Sequence, residues 1–129
     1  MKDILVPLSP GELLDKITIL RIKEARILDA DKLANVKLEL GMLEQTWRDC
    51  GGAATVALEE RALQNVNERL WDIEDRIRDK EAKQSFDRDF IELARAVYLC
   101  NDERAAIKKR INLQLGSRLV EEKSYKQYR

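Results

Sequence analysis

The sequence contains no histidine, and this absence removes several classes of chemistry at once. Without an imidazole there is no Ser/His/Asp or Cys/His catalytic arrangement, no histidine metal ligand, and no side chain that ordinarily changes charge near neutral pH. The two cysteines, Cys50 and Cys100, lie far apart and form no CxxC motif, so they indicate neither a zinc site nor a disulfide framework. We therefore predict no metal and no cofactor.

Turn formers, aromatic residues and long apolar runs are also scarce. The 129 residues include 5 glycines and 2 prolines, and aromatics make up 5%, which is too few for a β-sandwich or barrel. No apolar run reaches the roughly 18 residues of a membrane span, and the first ten residues lack the apolar core of a signal peptide. The sequence predicts a cytoplasmic protein without a membrane span, folded as one domain over residues 1–129.

Apolar residues recur with helical spacing in four segments. The predicted helices span residues 10–28, 32–49, 56–83 and 89–115. Because the links between them are short, successive helices should run antiparallel. The predicted fold is therefore all-α, an antiparallel up-down-up-down bundle of four main helices with an extended N-terminal arm and a short C-terminal tail, residues 117–129.

Local signals define the helix ends and the apolar faces. Ser9 is predicted to cap the first helix, with Glu12 completing a capping box, and Thr55 is predicted to cap the third. The predicted core face of the first helix comprises Leu13, Ile17, Leu20, Ile27 and Leu28.

Polar residues share the apolar faces of the third and fourth helices, and they are the candidate site. They are Asn67, Trp71, Glu74 and Arg78 on the third helix and Asn101, Arg104, Lys108 and Asn112 on the fourth. Glu74 is predicted to face Arg104 or Lys108, because an unpaired charge at such a position is strongly penalised. Two interpretations stay open. The group is an interior polar network that fixes helix register, or it lines a slot that binds an anionic small molecule.

Four apolar residues fall off the predicted core faces: Ile19, Ile22, Leu38 and Met42. Scattered exposed apolar residues are normal in a monomer. The alternative is that these residues form a second buried face, which makes the protein a homodimer.

The zero net charge conceals an uneven distribution. Residues 104–129 hold eight Lys and Arg against two acidic residues, a net charge of +6 that residues 1–103 balance with −6. This basic stretch includes Tyr125, Lys126 and Tyr128. We predict that it either lies back on the acidic part of the same chain or of a second copy, or binds phosphates or an acidic partner. Nucleic-acid binding is the third functional hypothesis, and the zero net charge argues against it.

Four segments stand out as specific motifs: residues 6–20 (VPLSPGELLDKITIL), 67–75 (NERLWDIED), 90–104 (FIELARAVYLCNDER) and 116–125 (GSRLVEEKSY). Together they resemble an uncharacterised family of small bacterial all-helical proteins. The resemblance implies a bacterial, cytoplasmic setting and an association with surface-polysaccharide assembly, and it transfers no catalytic residue. Separately, residues 13–17 (LLDKI) with Arg26 and Ile27 resemble the first helix of chorismate mutases.

The functional hypothesis is a non-catalytic binding or interaction module, accessory to bacterial surface-polysaccharide assembly. The alternative is a metal-free helical enzyme or binder of an anionic small molecule, with a chorismate-mutase-like site between helices. Such a site would hold the anion with Arg104, Lys108 and Arg78, orient it with Asn67 and Asn101, and use Trp71 as a wall. An enzyme of this type would use Arg104, Lys108 and Glu74.

Overall fold

The computed structural model describes residues 1–129 and contains four α-helices and no strand. They are α1 (Pro10–Arg26), α2 (Ala30–Cys50), α3 (Ala57–Ala82) and α4 (Arg88–Gln114). The predicted all-α fold of four helices is confirmed, and every boundary lies within about two residues of its prediction. Residues 1–9 form an arm without regular structure, and the tail beyond Gly116 also has none. None of the helices has an apolar stretch long enough to cross a bilayer.

Side-chain caps begin three of the helices. Ser9, Asp29 and Asp87 each accept a hydrogen bond from the backbone N–H three residues on, as N-cap residues do. The prediction that Thr55 caps α3 is wrong. Val56 holds the cap position without a side-chain hydrogen bond, because Thr55 takes part in the preceding turn, where its N–H donates to the Gly52 carbonyl over 3.2 Å.

The helix α1 lies at the centre of the fold. It packs against each of the other three helices, whereas the backbone of α2 approaches α1 alone. The helices α3 and α4 form a long antiparallel hairpin, in which Gln114 donates to Glu59 at one end and Lys80 pairs with Asp87 at the other. Within this bundle α2 lies on the outside of α1, because its backbone approaches neither α3 nor α4.

The core is one cluster of thirteen buried apolar residues drawn from α1, α2, α3, α4 and Val56. Leu14, Ile17, Leu63 and Ile111 at its centre have no or almost no exposure. The prediction that Leu28 joins this core is wrong, since Leu28 is 94% exposed. The reason is that α1 ends at Arg26, so Leu28 no longer follows the helical face.

The four residues proposed for self-association have different environments. Ile22 is only 3% exposed, so its assignment to an association surface is wrong: α1 is enclosed on three sides, and this residue is buried within the chain. Ile19 is half-buried. Leu38 and Met42, on α2, are 67% and 50% exposed, because α2 has a neighbour on one side only.

Close packing of α1 on α4 depends on Gly11. Its N–H donates to Asn112 Oδ1 over 2.7 Å. A Cβ atom at this position would lie 2.5 Å from the Lys108 carbonyl oxygen and 2.9 Å from Asn112 Oδ1. The two helices can therefore approach this closely only when residue 11 has no side chain.

We expect Gly11→Ala to lower the free energy of unfolding by about 1–3 kcal/mol, because the overpacked helices must separate. Urea denaturation measures the change. The matched control is Gly41→Ala in α2, measured at a dilution where the chain is monomeric, because no atom of the same chain lies within 4 Å of the added carbon. Removal of a helix-interior glycine should raise stability there by about 0.5–1 kcal/mol. Equal effects of the two substitutions would contradict the close contact at Gly11.

Candidate functional site

A buried carboxylate, Asp15 of α1, lies at the centre of the polar cluster. The residue is 1% exposed. Arg104 of α4 binds it side-on: Arg104 Nε donates to Asp15 Oδ1 over 2.8 Å, and Nη2 donates to Oδ2. Two parallel hydrogen bonds between opposite charges are the strong form of this interaction. They hold the guanidinium in one orientation.

Asn67 connects α3 to the same carboxylate. Its Nδ2 lies 3.1 Å from Asp15 Oδ1 and 2.9 Å from Thr18 Oγ1. The Thr18 hydroxyl donates in turn to the Asp15 backbone carbonyl over 2.9 Å. Three helices thus meet at one group of hydrogen-bonded side chains.

Lys108 extends the cluster towards the tail. Its Nζ lies 2.7 Å from Glu12 Oε2, 3.6 Å from Glu121 Oε1 and 3.9 Å from Asp15 Oδ2, and its side chain is 9% exposed. Glu12 therefore does not close the predicted capping box, because its carboxylate is drawn to the buried ammonium group. Ser9 still caps α1.

The electrostatics favour the charged forms of the central pair. Burial alone would raise the pKa of Asp15, but the hydrogen bonds from Arg104 and Asn67, with the charges of Arg104 and Lys108, hold that pKa below its usual value. The hydrogen bond to Asp15 raises the pKa of Arg104. Elsewhere in the chain, no three cysteine or carboxylate side chains converge as a metal ion would require.

The predicted contact between Glu74 and Arg104 or Lys108 is wrong. Glu74 Oε2 pairs with Arg78 Nη1 over 2.6 Å on its own helix. Asp15 takes the Arg104 guanidinium instead, because α1 lies against α4 at this level. Sequence reasoning missed Asp15, because no pattern in the sequence shows that this carboxylate is buried.

Six of the eight predicted site residues line a groove between α1, α3 and α4, which we call the interhelical groove. Its volume is about 480 Å³, and its walls include Ile19 together with Asn67, Trp71, Glu74, Arg78, Asn101 and Arg104. Its two arginines are already paired, Arg78 with Glu74 and Arg104 with Asp15. The other two predicted residues lie elsewhere: Asn112 accepts from Gly11, and Lys108 lies in the buried cluster.

A second and larger cavity lies on the other side of Arg104. It measures about 600 Å³ between α4 residues 97–108 and tail residues 121–128, and we call it the tail cavity. Arg104 and Asn101 line both cavities, so they form the wall that the two share. Tyr98 and Lys123 belong to the tail cavity and were missed, because only the position of the folded tail brings them together.

The tail lies back on α4, whereas the sequence hypothesis placed it on the acidic part of the protein or of a second copy. The pairs differ from that hypothesis, because two acidic residues of the tail meet cations of α4: Glu121 pairs with Lys108, and Glu122 lies 3.8 Å from Lys109. The Tyr128 hydroxyl donates to Asp102, which raises the pKa of Tyr128. Two basic residues of the tail, Lys123 and Lys126, line the cavity.

We expect Asp15→Asn to lower the free energy of unfolding by about 3 kcal/mol at pH 7, because Arg104 loses its counter-charge inside the fold. The native pKa of Asp15 lies below its usual value. Its ionised form therefore stabilises the fold at every pH above about 4, and this contribution is lost as pH falls through the native pKa. Urea denaturation of both proteins should show a constant difference above about pH 5 that shrinks in acid.

The matched control is Asp72→Asn, the same change in a carboxylate that pairs with Arg26 at the surface and is 60% exposed. Exposed ion pairs stabilise proteins little, so the control should unfold almost like the natural protein. Equal losses at the two positions would show that Asp15 is not the central carboxylate.

Comparison with known proteins gives one result. Residues 4–128 match a family of unknown function, DUF6165. No curated protein and no solved structure shows significant similarity to the chain. Because the match extends over nearly the whole sequence, which contains the arm, all four helices and most of the tail, the chain belongs to the DUF6165 family.

Proposed function

We propose that this protein is a binding module for an anionic small molecule that carries a flat ring, held in the tail cavity. The observation that carries the proposal is the state of Arg104. Its guanidinium is fixed by Asp15 beneath it, and its side chain is 30% exposed. The wall of the cavity therefore contains a positive group whose orientation is fixed before a ligand binds.

Arg104 retains hydrogen-bonding capacity for a ligand. A guanidinium has five N–H donors, of which two bind Asp15 and one binds Asn101 Oδ1 over 3.3 Å. Two remain. Asp15 is almost without exposure, so an anion in the cavity would lie closer to the guanidinium than to this carboxylate, and the Coulomb interaction at short range would be attractive.

The unpaired charge in the cavity wall is also positive. The two carboxylates that line the cavity are occupied: Asp102 accepts from Tyr128, and Glu121 lies 3.4 Å from Lys123 Nζ as well as near Lys108. Lys126 lines the cavity and has no carboxylate within 4 Å. An anionic group would complete this arrangement.

Aromatic rings supply the rest of the wall. Tyr98, Tyr125 and Tyr128 line the cavity, and the rings of Tyr98 and Tyr128 meet edge to face with centroids 5.0 Å apart. The volume of about 600 Å³ is typical of small-molecule sites, which combine apolar walls with a few oriented polar groups. Tyr125 is 73% exposed, and Lys123 Nζ lies 5.6 Å from the centre of its ring, so the cavity wall offers an aromatic ring beside a cation.

Phosphorylated molecules that carry a ring have this chemistry, and nucleoside diphosphates and nucleotide sugars are its simplest examples. The surface-polysaccharide setting implied by the sequence resemblance, with its bacterial and cytoplasmic location, belongs to the same proposal. The interhelical groove supports an anion less well, because Arg78 is paired with Glu74 and a second carboxylate, Asp75, also lines the groove. Nucleic acid is also disfavoured, since Glu121 and Glu122 interrupt the basic surface at Lys108 and Lys109.

We expect uridine diphosphate to raise the melting temperature and to bind more tightly than pyrophosphate, which lacks a ring, or uridine, which lacks charge. A ligand selective for the native state stabilises it by about 3 kcal/mol at 100 times its Kd. Lys126→Ala should weaken binding about tenfold, the effect of losing one charged hydrogen bond. Thermal shift and titration calorimetry measure these effects.

The matched control is Lys37→Ala, which removes another lysine without a carboxylate partner, this time from α2. It should bind as the natural protein does. Failure of uridine diphosphate, pyrophosphate and a panel of nucleotide sugars to bind would overturn the proposal. So would binding that neither Lys126→Ala nor Tyr125→Ala changes.

A further inference from the structure

The outward face of α2 carries a stripe of exposed residues with regular helical spacing. At alternating steps of three and four, the stripe comprises Asp31, Ala34, Leu38, Gly41, Gln45 and Arg48, all exposed. We call it the α2 stripe. This spacing is that of a seam between two packed helices. Because the backbone of α2 approaches only α1, and does so on the opposite side, no part of the chain covers the stripe.

The charges of the α2 stripe lie at its two ends and have opposite signs. Asp31 is at the N-terminal end and Arg48 at the C-terminal end, and neither has an oppositely charged group within 4 Å. Arg48 donates only to Gln45, over 2.8 Å. The stripe is therefore complementary to itself when it is turned end to end.

At the middle of the α2 stripe, a large side chain, Leu38, is followed by a glycine, Gly41. Leu38 is 67% exposed, and one turn further on Gly41 has nothing within 4 Å of where its Cβ would lie. Glycine weakens a helix interior, and nothing inside the single chain requires it here. A glycine would be required if a neighbouring helix packed a leucine over residue 41, because a side chain there would occupy the same space.

We propose that two copies of this chain associate through α2 in an antiparallel, two-fold symmetric pair. With the axis between Glu39 and Leu40, Leu38 of each copy packs over Gly41 of the other. The same register sets Asp31 beside Arg48. It also sets the third pair, Ala34 and Gln45, opposite each other, so one two-fold axis relates all three pairs.

Charge selects this arrangement over the alternatives. A parallel pair in register would place Asp31 beside Asp31 and Arg48 beside Arg48, and like charges at an interface are disfavoured. The symmetric contact is also closed, since the same surface serves both copies. The stripe is about 26 Å long at 1.5 Å per residue, so the interface is small for a protein pair. We expect dissociation constants in the micromolar range.

The test is sedimentation of the full chain from about 1 to 300 μM. We expect reversible dimerisation, loss of the dimer in Leu38→Glu, and a dimer at least about fivefold weaker in both Asp31→Arg and Arg48→Glu. The double variant Asp31→Arg with Arg48→Glu should recover the affinity, because each charge again meets its opposite. Circular dichroism checks that each variant is folded.

The matched control is Glu39→Lys, a charge reversal on the same helix but away from the α2 stripe, which should dimerise normally. A chain that is monomeric at 300 μM would overturn the proposal. A double variant no better than its single parents would rule out this register. A dimer that survives Leu38→Glu but is lost in Val6→Glu would place the contact on the exposed N-terminal arm instead.

Discussion

The ion pair between Asp15 and Arg104 is the interaction on which the rest of this structure depends. A carboxylate that is 1% exposed has lost its water, and such a charge is tolerated only where hydrogen bonds and an opposite charge replace that water. Here Arg104 comes from α4 and Asn67 from α3. The penalty for displacing any one of them fixes how α1 sits between α3 and α4, which apolar contacts alone define less sharply.

That constraint also prepares the proposed binding surface. Arg104 does not need to be ordered when a ligand arrives, because Asp15 has already restricted its rotamers, and preorganisation of this kind lowers the entropic cost of binding. Lys108 carries the same network to the tail through Glu121. The tail cavity therefore has one wall fixed by the interior of the fold and another held by exposed ionic contacts, which are weaker and more easily rearranged.

The sequence predicted local features well, because helical periodicity and the N-cap Ser9 depend on neighbouring residues only. Its failures concern contacts between distant segments. Periodicity counts Asp15 as a polar residue and cannot show that it is buried where α1 meets α4, so the pattern favours Glu74 as the partner of Arg104 instead. The peripheral place of α2 has the same origin, since its apolar face shows that the helix is half-buried but not which helices cover it.

The two proposed surfaces lie on different elements: the α2 stripe is on α2, and the tail cavity is between α4 and the tail. Both helices pack on α1. One side of α1 meets α2, and another carries Asp15 to Arg104 and so to the tail cavity. Coupling between sites needs an element with two arrangements that both ligands bias. Yet α1 is held by a buried ion pair, by the hydrogen bonds of Asn67 and by the close contact of Gly11 with α4. A helix fixed at these points transmits little displacement, so association through α2 and binding in the tail cavity should be energetically independent, and substitutions in the two surfaces should add.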